Sequence, residues 1–246
     1  RRNPNPRDGE PYYNLGAALK YQGEPDGAYD AYYKAIWSYA WQAAGYYALA
    51  QLDIHRGNFE RALDHLERSL RTNAMNTKAR NLWAAALRHL GRPDEAAIAI
   101  CDTVELDPLD MWARNEAVLI SRAQDKSVVA ESQLTELKDL MAVPDRLSKI
   151  QAYLDLAFDY FNAGLWEEAE DVLVRLVPPE EDRPVFPTVL YALGNIAYQL
   201  GREVEGKAYY TRASAQPVDY CFPERLEEML ILEHARSVRP DDAKIA

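Results

Sequence analysis

The 246-residue chain is 48% hydrophobic and 27% charged, a composition that sustains a packed core and excludes a disordered chain. Its 28 Lys and Arg against 39 Asp and Glu leave a formal net charge of −11, the wrong sign for sequence-independent attraction to nucleic-acid phosphate or to an anionic membrane. No apolar run approaches the ~20 residues needed to cross a bilayer. The two cysteines, Cys101 and Cys221, lie far apart with no C-x-x-C spacing, so they give neither a disulfide framework nor a zinc site and are expected as core or half-buried thiols.

The first organised stretch, YYNLGAALKYQGEPDGAYDAYYKA at 12–35, places apolar residues at helical spacing on both sides of Gly23. A glycine there supplies the left-handed residue that closes a first helix, A. Pro25 and Asp26 then suit the first turn of a second helix, B, where a missing N–H costs nothing and negative charge complements the dipole. The punctuation recurs as GNFERA, with Asn58 as the expected cap, and as GRPDEA. Gly23, Gly57 and Gly91 are 34 residues apart, and the same step relates Ala28, Ala62 and Ala96, then Leu15, Leu49 and Trp83, then Tyr32, Leu66 and Ile100. Small residues at Gly16, Ala50 and Ala84 on A and at the three alanines on B let paired helices approach, with Tyr12, Tyr46, Tyr32 and Leu66 filling the space between them.

Gly91 and Gly164 are 73 residues apart, one step of 34 and one of 39, which implies a degenerate unit with about five additional residues. Its helices are expected at DMWARNEAVLISR and SVVAESQLTELKDLM, with AQDK as the break and AVPDR as the exit. Two clear copies follow, AYLDLAFDYFNAGLWEEAEDVLVRL and LYALGNIAYQLGREVEGKAYYTRA, separated by the proline-rich acidic loop VPPEEDRPVFP. SAQPVDYCFP then leads into ERLEEMLILEHARS, a helix with no obvious partner. The expected units are 9–42, 43–76, 77–110, a degenerate 111–149, 150–183 and 187–216, then a helix at 223–238 and the start of a further unit. Pro6 and RPDDAKIA put both ends inside repeat units, as expected of a piece of a longer array.

Tyr12, Leu15-Gly16, Leu19, Gly23, Ala28, Tyr32 and Ala35, with Pro6 and Pro108 at the inter-repeat position, resemble the tetratricopeptide repeat family. The resemblance extends to Tyr153, Leu156, Ala157, Tyr160, Gly164, Ala169 and Leu173, and to Leu193, Gly194, Gly201, Gly206, Tyr210 and Ala213. It implies an all-α fold, a right-handed α-α superhelix of antiparallel helix pairs, over the whole of 1–246. The irregular insertions and the exit CFPERLEEMLILEHARSVRPDDA are also similar, less specifically, to the repeat halves of long bacterial proteins with an uncharacterised β-rich domain upstream.

Catalytic signatures are missing from the sequence: there is no G-x-G-x-x-G, phosphate loop, H-E-x-x-H, G-x-S-x-G or EF-hand loop, so no catalytic residue, cofactor or metal is assigned. Glu167 and Glu168, or Glu227 and Glu228, read as solvated helix faces, and His55 and His89, one repeat apart, as polar lining. The resemblance implies that A helices line a concave groove, and the positions facing it are Tyr13, Lys20, Tyr47, Gln51, His55, Lys78, Asn81, Arg88, His89, Trp112, Asn115 and Arg122. Lys20, Arg88 and Arg122 share one repeat position and form either a basic stripe for an acidic or carboxylate-bearing peptide or a complement to the helix dipoles. Family members that clamp a C-terminal carboxylate need Lys, Asn and Arg where this chain has Tyr13, Ala17, Ala48, Lys78 and Leu82, of which Lys78 fits.

Three readings stay open. The first is a non-enzymatic scaffold for a protein, a peptide or another domain of the parent chain. The second is the helical part of an enzyme, such as an α/α-barrel acting on carbohydrate, against which the fixed 34-residue register argues. The third is self-association through the terminal repeats. A related RNA-binding repeat family is disfavoured by the acidic balance and by the lack of base-reading positions.

Overall fold

The computed structural model describes residues 8–178, 184–217, 222–242 and 244–245. Pro6, Cys221 and residues 179–183 of the acidic loop lie outside them. Among the described residues the chain is all-α, with thirteen α-helices and one short 3-10 helix, and it forms two compact units that meet in sequence at Leu140 and Met141. The first unit holds four hairpins. These are α1 (Glu10–Tyr21) with α2 (Pro25–Ala35), α3 (Gln42–His55) with α4 (Phe59–Thr72), α5 (Thr77–His89) with α6 (Pro93–Leu106), and α7 (Met111–Ala123) with α8 (Ser127–Leu140). The second unit pairs α9 (Arg146–Phe161) with α10 (Trp166–Val174) and α11 (Pro187–Gln199) with α12 (Glu203–Ala215), and ends with α13 (Leu226–Val238).

Every A helix closes in the same way. Gly23, Gly57, Gly91, Gly164 and Gly201 have φ between 71° and 76°. In each case the next residue's N–H returns to a carbonyl five residues back, as in Asn58 to Asp53 at 2.8 Å and Arg202 to Ala197 at 2.8 Å, so the last carbonyls of the helix are satisfied. The degenerate unit obeys the rule without a glycine: Asp125 has φ 58° and Lys126 N–H reaches the Ser121 carbonyl at 2.9 Å. Asp125 stands 34 residues after Gly91, so the register holds through the fourth hairpin and slips only afterwards, in the five-residue link Met141–Asp145 and the 16-residue α9. Asp tolerates the left-handed region poorly compared with Gly, so Asp125→Gly is expected to stabilise the first unit by roughly 0.5 kcal/mol, seen as a higher urea midpoint at unchanged slope.

Capping departs from expectation at Asn58, which holds the N-cap position of α4 without a side-chain cap bond. Its backbone N–H closes α3, and the tight turn is already set by Gly57. Side-chain caps occur at the looser inter-hairpin turns, where Asn76, Asp110 and Asp145 accept from the N–H of Ala79, Ala113 and Ser148 at 3.2, 2.8 and 2.7 Å.

Packing within each hairpin is set by one facing pair of positions. Seven residues before the closing residue lie Gly16, Ala50, Ala84, Val118, Ala157 and Gly194; nine after it lie Tyr32, Leu66, Ile100, Leu134, Leu173 and Tyr210. Glycine therefore faces tyrosine, and Ala or Val faces an aliphatic side chain. A Cβ on Gly16 would sit 2.7 Å from the Tyr32 ring, and one on Gly194 would sit 2.4 Å from the Tyr210 ring. Hairpins are joined by apolar clusters, one of Tyr32, Ile36, Leu49 and Leu52, another of Leu87, Ile100, Ala113 and Ile120. The second hairpin also buries a charge: Asp53, 0% exposed, accepts from Arg61 Nε at 2.7 Å and pairs with His65 Nδ1 at 2.8 Å.

Candidate functional site: the A-helix face of the first unit

The twelve residues expected on the A-helix face fall into three sets. Asn81, Trp112 and Asn115 are buried. Tyr13, Lys20, Tyr47, Gln51 and Arg88 are half-buried, and Lys78, His55, His89 and Arg122 are exposed. Position along the helix accounts for Asn81 and Asn115. Ten residues before the closing residue, the side chain leans on the start of the next A helix: Tyr13 packs on Trp41 with ring centroids 5.0 Å apart, and Asn81 Nδ2 donates to both carboxylate oxygens of Asp110 at 3.0 Å. These side chains tie one repeat to the next.

Arg88 is committed in the same way. Its Nε and Nη2 donate to Glu116 at 3.0 and 3.2 Å, a two-pronged pair with Glu116 fully buried and the Arg88 side chain 12% exposed. The sequence reading missed Glu116 because the pair spans two A helices. On the surface, Lys20 donates to Gln51 Oε1 at 3.4 Å and Gln51 donates to the Tyr47 hydroxyl at 3.2 Å, a polar chain from α1 to α3. Partial burial, then the Lys20 and Arg56 charges, lower the His55 pKa from its usual value and keep the imidazole neutral at pH 7. His89 lies face to face on Phe59 of α4, with centroids 4.7 Å apart and planes 6° apart.

Mapped onto the helices, charge is segregated. The four A helices of this unit carry six cations (Lys20, Lys78, Arg80, Arg88, Arg114, Arg122) and three acids, of which Asp53 and Glu116 are buried and paired. The four B helices carry five cations and twelve acids. The first unit's excess of acid therefore resides on its B helices, a partition that composition conceals. That side also has a cavity of about 340 Å³ between α6, α7 and α8, lined by Ile100, Cys101, Val104, Ala117, Ile120 and Gln133. Cys101, expected in or near the core, is exposed because it follows the inward-facing Ile100 on α6. Among the described residues no group of three or more His, Cys, Asp or Glu is placed to hold a metal, and no helix is long and apolar enough to cross a membrane.

A stack of antiparallel helix hairpins, each closed by a left-handed residue and joined through its A helices, defines the class as an all-α helical-repeat fold. Residues 47–110, covering most of the second and third hairpins, match the tetratricopeptide repeat family model. Among solved structures, a tetratricopeptide repeat protein from Parabacteroides merdae ATCC 43184 is similar at 16% identity over 93% of this chain and 84% of that one, with a TM-score of 0.55. PilW, a widely conserved type IV pilus biogenesis factor, is similar at 18% identity over 90% of this chain and 98% of its own, with a TM-score of 0.51. Both likenesses are likenesses of fold.

Proposed function

We propose that this chain is a non-enzymatic interaction scaffold whose first unit binds an acidic or carboxylate-bearing peptide or protein segment on its A-helix face. The observation that carries the reading is the charge on that face: Arg80 and Arg114 turn toward the B helices, which leaves Lys20, Lys78, Arg88 and Arg122 against Glu10 and the buried, paired Asp53 and Glu116, in a strongly acidic chain. Such a face draws in a partner of opposite sign and turns away like-charged ones. Tyr13 and Tyr47 supply aromatic surface beside the cations, and a repeat array offers an extended surface rather than one deep pocket.

The test avoids Arg88, whose charge is structural, and reverses two exposed cations, Lys78→Glu with Arg122→Glu. Labelled acidic and basic peptides of matched length are titrated by fluorescence anisotropy at low and physiological salt. The acidic set is expected to bind the wild type, to weaken with salt, and to lose roughly tenfold or more in affinity for the variant. Equal binding of acidic and basic peptides, or unchanged affinity in a variant with native circular dichroism, would refute the assignment.

A further inference from the structure

Among the described residues helix α13 is the one helix of the second unit outside a hairpin, and register shows how it arises. Asn81 and Tyr191 stand at the same repeat position, ten residues before Gly91 and Gly201. Asn81 donates to Asp110, which lies 29 residues on and caps the next A helix; the Tyr191 hydroxyl donates to Asp242 at 2.8 Å, 51 residues on. The turn leading to each aspartate has the same form, with Asp110 N–H on the Asp107 carbonyl and Asp242 N–H on the Arg239 carbonyl, both at 3.1 Å. The path to Asp242 is therefore 22 residues longer than the path to Asp110. The excursion leaves and returns at one place: Arg239 Nη1 donates to Ser214 Oγ at 3.0 Å and Lys244 Nζ donates to the Gln216 carbonyl, beside the end of α12.

The excursion lies across the A-helix face of its own unit. At its start Arg225 pairs with Asp155 and covers the Phe158 ring at 5.7 Å, both on α9, while Glu227 accepts from Asn162, the C-cap of α9, at 2.8 Å. Further along, His234 meets the edge of Tyr198 on α11, with centroids 4.9 Å apart, and lies 2.7 Å from the Tyr210 hydroxyl. On the same helix Ile231 and Ala235, one turn apart, are fully buried, and α11 is buried at every residue from Pro187 to Ala197 because α10, α12 and α13 enclose it. Asp155 stands nine residues before its closing glycine, as Glu116 stands nine before Asp125, and each receives an arginine.

Helix α13 also starts on its own signal. Glu228, 4% exposed, accepts from the backbone N–H of Glu224 and Arg225 at 2.6 and 3.2 Å, a capping arrangement internal to the segment. Its fit is incomplete: Phe222, Leu226 and Met229 remain 75%, 55% and 52% exposed. A cavity of about 420 Å³ stays open at its leading end, lined by Ile150, Gln151, Asp155, Phe186, Phe222 and Glu228.

We infer that α13 is a tethered ligand of the A-helix face of the second unit, and that this face takes a partner helix of the same chemistry. The features it reads are an arginine for Asp155 and Phe158, a carboxylate two residues later for Asn162, and an apolar pair four residues apart for the surface that Ile231 and Ala235 cover. The partner binds by exchange with α13, and the open cavity accepts an apolar side chain that α13 does not supply. The tether keeps the local concentration of α13 high, so free helices compete weakly until it is loosened. This inference is independent of the charged face of the first unit.

The probe is a labelled peptide of residues 222–242 added to the full chain, followed by anisotropy. Wild-type chain is expected to take it up at least tenfold more weakly than chain carrying Ile231→Glu, whose own α13 is loosened, and adding Asp155→Arg is expected to abolish uptake. An Ile231→Glu chain that keeps its helical signal and binds no peptide overturns the inference. Hydrogen exchange on the milder Arg225→Glu chain covers the case in which Ile231→Glu unfolds. Faster exchange confined to α13, with α11 and α12 still protected, is the expected result. Joint loss of protection in all three makes α13 an integral part of the unit's core and also overturns it.

Discussion

Glu116→Ala is expected to destabilise the first unit by about 3–5 kcal/mol, the penalty for leaving one member of a buried ion pair without the other. Glu116 is fully buried and holds both prongs of Arg88, whose guanidinium is nearly as enclosed, so the variant strands a cation that water reaches poorly. Urea denaturation followed by tryptophan fluorescence reads the effect. The single reversal Arg88→Glu is expected to be at least as damaging, because it faces two carboxylates toward each other inside the packing. The exchange Arg88→Glu with Glu116→Arg should recover part of the loss, and that recovery separates pairing from simple packing. A loss below about 1 kcal/mol for Glu116→Ala would place the pair among solvated surface bridges.

The same pair explains which part of the site the sequence reveals. Helical spacing places Arg88 with Lys20 and Arg122 at one repeat position, and a cation in the last turn of a helix suits solvent, a ligand or the helix dipole equally well. What decides is a carboxylate 28 residues further on, on another helix, and spacing within one helix carries no information about it. Asn81 and Asp110 repeat the lesson at 29 residues. A usable signal was nonetheless present: Glu116 is the single acid in α5 and α7, helices otherwise charged only by Lys and Arg. An isolated carboxylate on a cationic helix pair is a candidate buried partner.

The fold was far more legible, because its determinants are local. A glycine closing a helix, a proline opening the next and a small residue facing a large one each act within a few residues of chain, and the 34-residue step repeats them. Legibility failed where chemistry changed while geometry did not. Asp125 takes the left-handed conformation of the glycines it replaces, so within the break AQDK no residue identity marked the one that closes the helix. Tyr191 does with a hydroxyl what Asn81 does with an amide, so the excursion that carries α13 could not be measured from residue identities. The helix at 226–238 was visible; its seat on α9 and α11 was not.

Gly16→Ala is the second substitution with a large expected effect, and it tests the pairing that sets the distance between A and B helices. The added Cβ would lie 2.7 and 2.8 Å from two ring carbons of Tyr32, closer than real contacts allow. Tyr32 is 3% exposed and packed against Ile36, Leu49 and Leu52, so its ring can yield only by displacing neighbours in the cluster that joins the first two hairpins. Overpacking of this kind costs about 1–3 kcal/mol. Tyr32→Leu by itself should also destabilise, by leaving a cavity. Together they recreate the combination of Ala50 and Leu66 one repeat later, so the double variant is expected to be more stable than the two single losses summed would allow, by about 1 kcal/mol or more. Thermal unfolding of the four members of the cycle measures that coupling. Strict additivity would mean that helix separation in the first hairpin is fixed elsewhere; a favourable coupling makes the glycine–tyrosine and alanine–leucine pairs interchangeable solutions to one packing problem, which is how repeats of different sequence keep a common spacing.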